Sequence, residues 1–279
     1  MAGKLYLCAT PIGNLSDITL RVLETLKRVD LIAAEDTRNT VKLLNHFEIK
    51  TRMTSYHEYN KYDKARELTD GLLAGLDVAL VTDAGTPAIS DPGYALVKTA
   101  YDAGIEVTSL PGACAVPVAL SVSGLPTRRF VFEGFLPADK KERAKALGRL
   151  EGETRTIVIY EAPHHILKTL GDLYEVLGPR NMRICRELTK IHESVTAFTI
   201  DEAIRYYEEN EPRGEMVLVI EGADEKALEA EGRKAFEEMS IREHVDMYIA
   251  EGLSEKEAMK RAASDRGVSR RDIYSAIKI

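Results

Sequence analysis

Tryptophan is absent from this chain of 279 residues, and aromatic side chains make up only 6% of it. The core must therefore be built from Leu, Ile, Val and Ala rather than from large rings. No run of about 18 apolar residues occurs, so no helix able to span a bilayer is expected. Residues 1–10 lack a charged segment followed by a long apolar stretch and read as a strand, an expectation against a secretory leader. The three cysteines, Cys8, Cys114 and Cys185, are far apart and odd in number, which supports neither a zinc knuckle nor a disulfide framework. The six histidines are scattered, with only His164 and His165 adjacent, and no HExxH spacing occurs. No metal is expected, and a reducing cytoplasm is the default compartment. A Gly-rich dinucleotide fingerprint and a P-loop lysine motif are also missing, which argues against NAD or ATP held in the usual ways.

What is present fits an ordinary globular protein and argues against disorder. Apolar residues make up 44% and charged residues 30%, and the length suits about two domains. The net charge of −7 opposes a nucleic-acid partner, because phosphate binding rests on Lys and Arg. Its distribution says more than its sum. From residue 256 onward, Lys256, Lys260, Arg261, Arg266, Arg270, Arg271 and Lys278 stand against three acidic residues, so that segment is +4 and residues 1–255 carry −11. A second basic stretch contains Lys140, Lys141, Arg143, Lys145 and Arg149. Each stretch also fits a plain solvated helix face.

Strands and helices alternate along the chain. Residues 4–9, 30–34, 78–82 and 105–110 read as strands. Leu15, Ile18, Val22, Leu26 and Val29 fall at helical spacing and predict a helix beginning at 15. Helices follow at 61–76 and 94–103, and an Ala/Val-rich one follows Gly112. Such alternation implies a mostly parallel sheet with helices on both faces. After a linker at 124–126, a second α/β unit shows strands at 130–133, 156–161, 183–187, 194–198 and 216–221, with helices at 139–150, 163–176 and 201–209. The resulting division is 1–122, 123–222 and a helical extension over 223–279. That extension contains a helix, a turn at Gly267, and a helix capped by Ser269 with Asp272 three residues on. It reads as helix-turn-helix-like, or as a helical hairpin lying on the body.

In a parallel α/β sheet, ligands bind beyond the carboxyl ends of the strands. Three Pro/Gly-rich loops lie at such ends, at 10–14, 83–93 and 111–115. Any one of them can be a tight turn. Three in one unit point to a small-ligand site whose backbone amides and carbonyls face the ligand.

The strings that fill these loops resemble a known family. They are Ala9-Thr-Pro-Ile-Gly-Asn-Leu15, Ile32-Ala-Ala-Glu-Asp-Thr-Arg38, Asp83-Ala-Gly-Thr-Pro87 and Asp91-Pro-Gly93. Leu110-Pro-Gly112, Glu133-Gly-Phe-Leu-Pro137, Tyr160-Glu161, Arg186-Glu-Leu-Thr-Lys190 and Gly214-Glu-Met-Val217 continue the likeness across residues 1–222. Together they are similar to the bacterial 16S ribosomal RNA (cytidine-2′-O)-methyltransferases of the tetrapyrrole methylase, or class III methyltransferase, superfamily. The resemblance implies two α/β domains, usually paired as a homodimer, with S-adenosylmethionine in the cleft between them. It places cofactor contacts at Pro11, at Asp83, Gly85, Thr86 and Ile89, and at Gly112, Ala113 and Cys114. The second unit adds Tyr160, Glu161, Leu188, Gly214 and Met216. The segment 111–114 is Pro-Gly-Ala-Cys where members often carry other small residues, which matters little for backbone contacts. The implied substrate is 16S rRNA of the small ribosomal subunit.

Methyl transfer to a ribose hydroxyl needs alignment and a group that takes the proton. Candidate bases are Glu35, Asp36, Glu161 and Glu187, with His165 behind them. Arg38 and Lys190 are candidates for holding phosphate or a developing oxyanion. Glu35 and Arg38 stand first. Each carboxylate has a rival role as ion pair or helix cap, Asp36 above all. Arg128, Arg129, Lys140, Lys141, Arg143, Lys260, Arg261, Arg270 and Arg271 are the expected RNA contacts. Phe135 and Tyr160 are candidates for stacking on an extruded base. Two other readings stay open: a methyltransferase of the same fold acting on a tetrapyrrole or a protein side chain, and a non-catalytic RNA-binding protein.

Overall fold

The computed structural model describes residues 1–237 and 239–277; Lys278 of the basic tail lies outside the described residues. The first sheet contains β1 (Lys4–Cys8), β2 (Leu31–Ala34), β3 (Met53–Ser55), β4 (Val78–Val81) and β5 (Glu106–Leu110). All are parallel, in the order β3-β2-β4-β1-β5. Successive side chains alternate between faces. Leu5, Leu7, Val78 and Leu80 meet α3 (Lys61–Leu73) and α4 (Gly93–Asp102) on one face. Cys8, Ile32, Ala79 and Val81 meet α1 (Leu20–Arg28) and α2 (Thr37–His46) on the other.

The helix expected from residue 15 starts later. Leu15–Asp17 form a short 3-10 turn whose first N–H groups are met by the Asn14 side chain, which accepts from Ser16 at 3.0 Å. The chain then opens, and Thr19 Oγ1 accepts from Val22 N at 3.3 Å to start α1. Two capping side chains five residues apart make two starts, and Leu15 stays 41% exposed instead of joining the buried face. The short edge strand β3 was not read from sequence, since its three half-buried residues show no alternation.

The second sheet is mixed. It is formed by β6 (Phe130–Phe135), β7 (Thr156–Glu161), β8 (Asn181–Arg186), β9 (Ser194–Thr199) and β10 (Met216–Ile220), in the order β6-β7-β10-β8-β9. Only β6 and β7 run parallel. On one face Ile157, Ile159, Ile184, Leu218 and Ile220 form a core with α6 (Lys140–Gly148), α7 (Ile166–Leu177) and α8 (Ile200–Glu209). On the other face Val158, Cys185, Val217 and Val219 meet Val116, Ala119 and Leu120 of α5 (Ala115–Ser123). α5 thus belongs to the first unit by chain order and to the second sheet by packing. It joins the two.

The tail is helical: α9 (Glu225–Glu237), α10 (Ile241–Ala250), α11 (Glu255–Arg266) and α12 (Arg270–Ile277). Val245, Tyr248, Ala258, Ala262 and Ile273 form its own small core. Gly267 ends α11 in the left-handed region at φ 63°, and Ser269 caps α12 with reciprocal bonds to Asp272. Among the described residues, no helix is long and apolar enough to cross a membrane.

Candidate active site

Three loops rise from the carboxyl ends of β4, β1 and β5, which are adjacent in the sheet. They form one hydrogen-bonded unit. Thr10 N donates to Gly85 O at 2.9 Å, and Gly85 N donates back to Thr10 O at 3.0 Å. Thr10 Oγ1 donates to Thr82 O at 3.1 Å, and Thr86 Oγ1 donates to Ala113 O at 3.2 Å. Within the middle loop Ala88 and Ser90 sit at φ 68° and 64°, a region that side chains other than Gly enter at a cost. Asp91 holds this shape: its carboxylate accepts from Ala88 N, Ile89 N and Gly93 N at 3.0, 3.2 and 2.6 Å. The buried Tyr56 hydroxyl donates to Pro92 O at 3.0 Å and ties the loop to the end of β3.

The second sheet supplies the opposite wall. β8 stops where Glu187 turns to φ 52°, and Thr189 follows at φ 67°. Lys190 Nζ donates to Glu187 Oε1 at 2.9 Å and to Glu215 Oε2 at 3.0 Å. The walls touch at two seams. A Cβ on Gly13 would lie 2.4 Å from Lys190 Cγ, and one on Gly134 would lie 2.6 Å from Ser90 Oγ. Only glycine allows these approaches.

Between the walls lies a cleft of about 350 Å³, a size suited to a small molecule. Of the residues expected at a cofactor, Asp83, Gly85, Thr86, Ile89 and Cys114 line it from the first wall. Tyr160, Glu161, Leu188 and Met216 line it from the second. Pro11 instead lines a neighbouring cavity. Gly112 lies against Ala9, Ala113 offers its carbonyl to Thr86, and Gly214 lies against the Glu187 side chain.

Of the residues expected to act in chemistry, Glu35, Glu161, Glu187 and Lys190 line the cleft. Asp36 caps α2, accepting from Arg38 N at 2.8 Å, and pairs with the Arg38 guanidinium at 2.7 Å. Hydrogen bonds from Arg38 hold the Asp36 carboxyl down at about 2. Both rival roles named for Asp36 are therefore occupied. The Arg38 side chain is 87% exposed beside the cleft. His165 lies in a 3-10 turn after β7 and is not part of the lining. Glu161 is buried and accepts from Thr169 Oγ1 and from Ala162 N.

The two walls differ electrically. Burial raises the Glu35 carboxyl above its ordinary range, with Asp83, Asp91 and Asp36 adding repulsion and the Asp83 N–H opposing the shift. Burial likewise raises Asp91 against three backbone N–H groups. On the other wall the Lys190 ammonium lowers Glu187. Tyr160 is pushed up to about 12 by burial, so its hydroxyl stays neutral.

Several lining residues were not anticipated. Asp91 carried a readable sign, since an Asp beside Pro-Gly at a helix start favours an Asx turn. Ile12 and Glu215 lie inside strings singled out for the site without having been named, and Cys185 carried no sign. Antiparallel register sets Met216 beside Arg186, and beyond it Glu187 N donates to Glu215 O at 3.0 Å, a pairing that no local pattern encodes.

Arg128, Arg129, Lys140 and Lys141 are exposed, as are Lys260, Arg261, Arg270 and Arg271 on the tail. Arg143 is a correction. It is 8% exposed, with Nε on Asp172 at 2.5 Å and Nη2 on Thr169 Oγ1 at 2.7 Å. A guanidinium engaged this way serves the interior beneath Glu161 and not an external phosphate.

Residues 4–204 match the Tetrapyrrole (Corrin/Porphyrin) Methylases family. A relative from Halalkalibacterium halodurans, named ribosomal RNA small subunit methyltransferase I, is 50% identical over 273 residues, covering 98% of this chain and 94% of its own. The chain belongs to the tetrapyrrole methylase family. A relative of the same name from Thermotoga maritima is 46% identical over 222 residues, which are 80% of this chain and 100% of that protein. Among solved structures of the family fold, diphthine synthase aligns with a TM-score of 0.64 at 12% identity, covering 78% of this chain and 90% of its own. Uroporphyrin-III C-methyltransferase from Thermus thermophilus, complexed with S-adenyl homocysteine, aligns with a TM-score of 0.53 at 18% identity, covering 78% and 97%. These likenesses concern the fold.

Proposed function

We propose that this methylase transfers a methyl group from S-adenosylmethionine to the ribose 2′-hydroxyl of a cytidine in 16S rRNA of the small ribosomal subunit. The observation that carries the reading is 50% identity over 273 residues to a ribosomal RNA small subunit methyltransferase I. That span includes both walls of the cleft. The cleft fits the cofactor in its donor set. Glu35, Asp83 and Asp91 make no ion pair among the described residues and so offer negative charge to a ligand that is a net cation. Ile12, Ile89, Leu188 and Val217 offer apolar surface, and the three loops offer backbone groups.

When bound, the cofactor supplies an electrophilic methyl carbon on a positively charged sulfur. The chain supplies position and a proton acceptor. Glu35, with its raised carboxyl, is the base for the ribose hydroxyl proton. Glu161, oriented by Thr169 and the Ala162 N–H, presents a fixed carboxylate to the cleft. Lys190 keeps Glu187 and Glu215 in place, and its third N–H is left to donate to an oxyanion. Phe135, 59% exposed with its ring centre 5.6 Å from that of Tyr160, is the stacking candidate at the cleft.

The exposed Arg128, Arg129, Lys140 and Lys141, with Lys260, Arg261, Arg270 and Arg271 of the tail, are read as phosphate contacts. The Thermotoga maritima relative shares the name over 222 residues, about the length of the two α/β units together. The tail therefore adds affinity rather than chemistry. We read the protein as cytoplasmic and as a homodimer. Exposed Tyr62 and Leu73 on α3 and Tyr94 and Tyr101 on α4 give a second copy a face to cover.

The test is transfer of a labelled methyl group to small ribosomal subunits from a strain lacking the gene. Label in the rRNA at a cytidine ribose, absent with already modified subunits, is the expected result. Unlabelled subunits and rRNA together with a labelled porphyrinoid or protein would overturn the reading.

A further inference from the structure

A second cavity of about 310 Å³ lies behind the first loop. The chain from Thr10 to Leu15 separates it from the cofactor cleft, and Thr82 and Asp83 line both spaces. Its other wall is α2, which presents Asn39, Thr40, Lys42, Leu43 and His46. Arg38, Lys42 and His46 recur every four residues, so three basic groups follow one stripe at steps of about 6 Å along the helix axis. That stripe starts beside the Glu35 carboxylate and leads away from it.

The side chains of this stripe are available. Lys42 and His46 are exposed, and neither makes an ion pair among the described residues. Arg38 is held by Asp36, yet its side chain is 87% exposed. Of the neighbouring acids, Asp36 is paired with Arg38, and Asp83 is turned by neutral donors without losing its charge to the cleft. Asp83 accepts from Asp36 N and from Asn39 Nδ2, each at 3.2 Å. Leu15, 41% exposed, gives the cavity an apolar side facing Lys42 and His46. A lysine and an imidazole at the rim, amide and hydroxyl groups within, and one apolar surface together match a nucleotide unit of a polyanionic strand.

We propose that this cavity holds the nucleotide next to the methyl acceptor, with Lys42 and His46 on flanking phosphates and Leu15 against the sugar or base. The proposal rests on the RNA-methylation reading and adds where the acceptor strand lies: along α2, so that one ribose reaches the cleft at the shared Asp83. The first loop then separates cofactor from strand and touches both.

The test uses the full-length protein, small subunits from a strain lacking the gene, and two variants of exposed residues, Lys42→Ala and the double variant Lys42→Glu with His46→Glu. Thermal melts establish that both are folded. The expected result is a KM for subunits raised about 3-fold by the first and at least tenfold by the second. S-adenosylmethionine affinity by calorimetry stays within twofold. The log–log salt slope of rRNA binding falls by about 1 to 2 in the double variant. Unchanged KM and salt slope in both variants, with an active parent, would overturn this proposal alone. A loss of cofactor affinity would overturn it too, by assigning the cavity to the cofactor. A parent that labels no RNA under any condition would instead sink the reading beneath it.

Discussion

Glu35, Asp83 and Asp91 on one side of the cleft make no ion pair among the described residues, whereas Glu187 and Glu215 on the other side share Lys190. The residue type is similar and the environment is opposite. Burial and mutual repulsion raise Glu35, and burial raises Asp91; an ammonium 2.9 Å away lowers Glu187. Unpaired carboxylates store an unfavourable charge that a cationic ligand or a proton relieves. Paired carboxylates are already relieved and hold geometry instead. At the first wall Glu35 and Asp83 are left to meet a ligand, while Asp91 shapes its own loop and Glu187 and Glu215 hold the second wall through Lys190.

The comparison breaks most sharply at Glu35. Glu35→Gln keeps the shape of the first wall and removes the proposed base, so kcat is expected to fall by about 10²–10⁴-fold. Cofactor affinity should change less than tenfold. A kcat within threefold of the parent would move the base elsewhere.

Next in size is the seam. In Gly13→Val the new Cβ meets Lys190 Cγ within 2.4 Å and forces the walls apart. Cofactor affinity by calorimetry should drop roughly tenfold, about 1.4 kcal/mol. Unchanged affinity would show that the first loop yields freely.

Lys190→Met tests the paired wall. It leaves Glu187 and Glu215 facing each other without a cation and should cost about 1 kcal/mol at neutral pH, with Glu215's share discounted for its exposure. A lowered carboxyl contributes stability above its ordinary range that disappears as pH falls through its folded value. The difference between parent and variant, measured by urea unfolding, should therefore shrink in acid. A difference that grows in acid would reverse the assignment.

The smallest effect concerns the unpaired wall. Carboxyls raised by burial take up protons first as pH falls, so Glu35 and Asp91 lose charge while Glu187 keeps it. Affinity for the cationic cofactor should weaken a few-fold from neutrality toward mild acid, and less so in Glu35→Gln. Equal pH dependence in both proteins would remove Glu35 from the ligand's field.

The legible parts of the fold were those with local causes. Alternation of strands and helices, the three loops on carboxyl ends, the Gly267 turn and the Ser269–Asp272 cap depend on periodicity and backbone conformation, and the structure contains them. The helix start at 15 was misread because Asn14 and Thr19 both cap, and apolar spacing cannot rank two starts. Arg143 was misread because charge in a sequence carries no depth. Only the packing of α6 on α7 turns that guanidinium toward Asp172 and Thr169.

The three Pro/Gly loops and their resemblance to a methylase were determined by sequence alone, since a loop's backbone chemistry is written in its own residues. Which carboxylates would be paired was decided by tertiary structure. Glu187, Lys190 and Glu215 meet because β8 and β10 pair antiparallel, and Glu35 makes no ion pair among the described residues because Asp36, Asp83 and Asp91 surround it while Asp36 takes the Arg38 guanidinium. The electrical difference between the walls arises from those long-range pairings, which place charges that no local pattern can place.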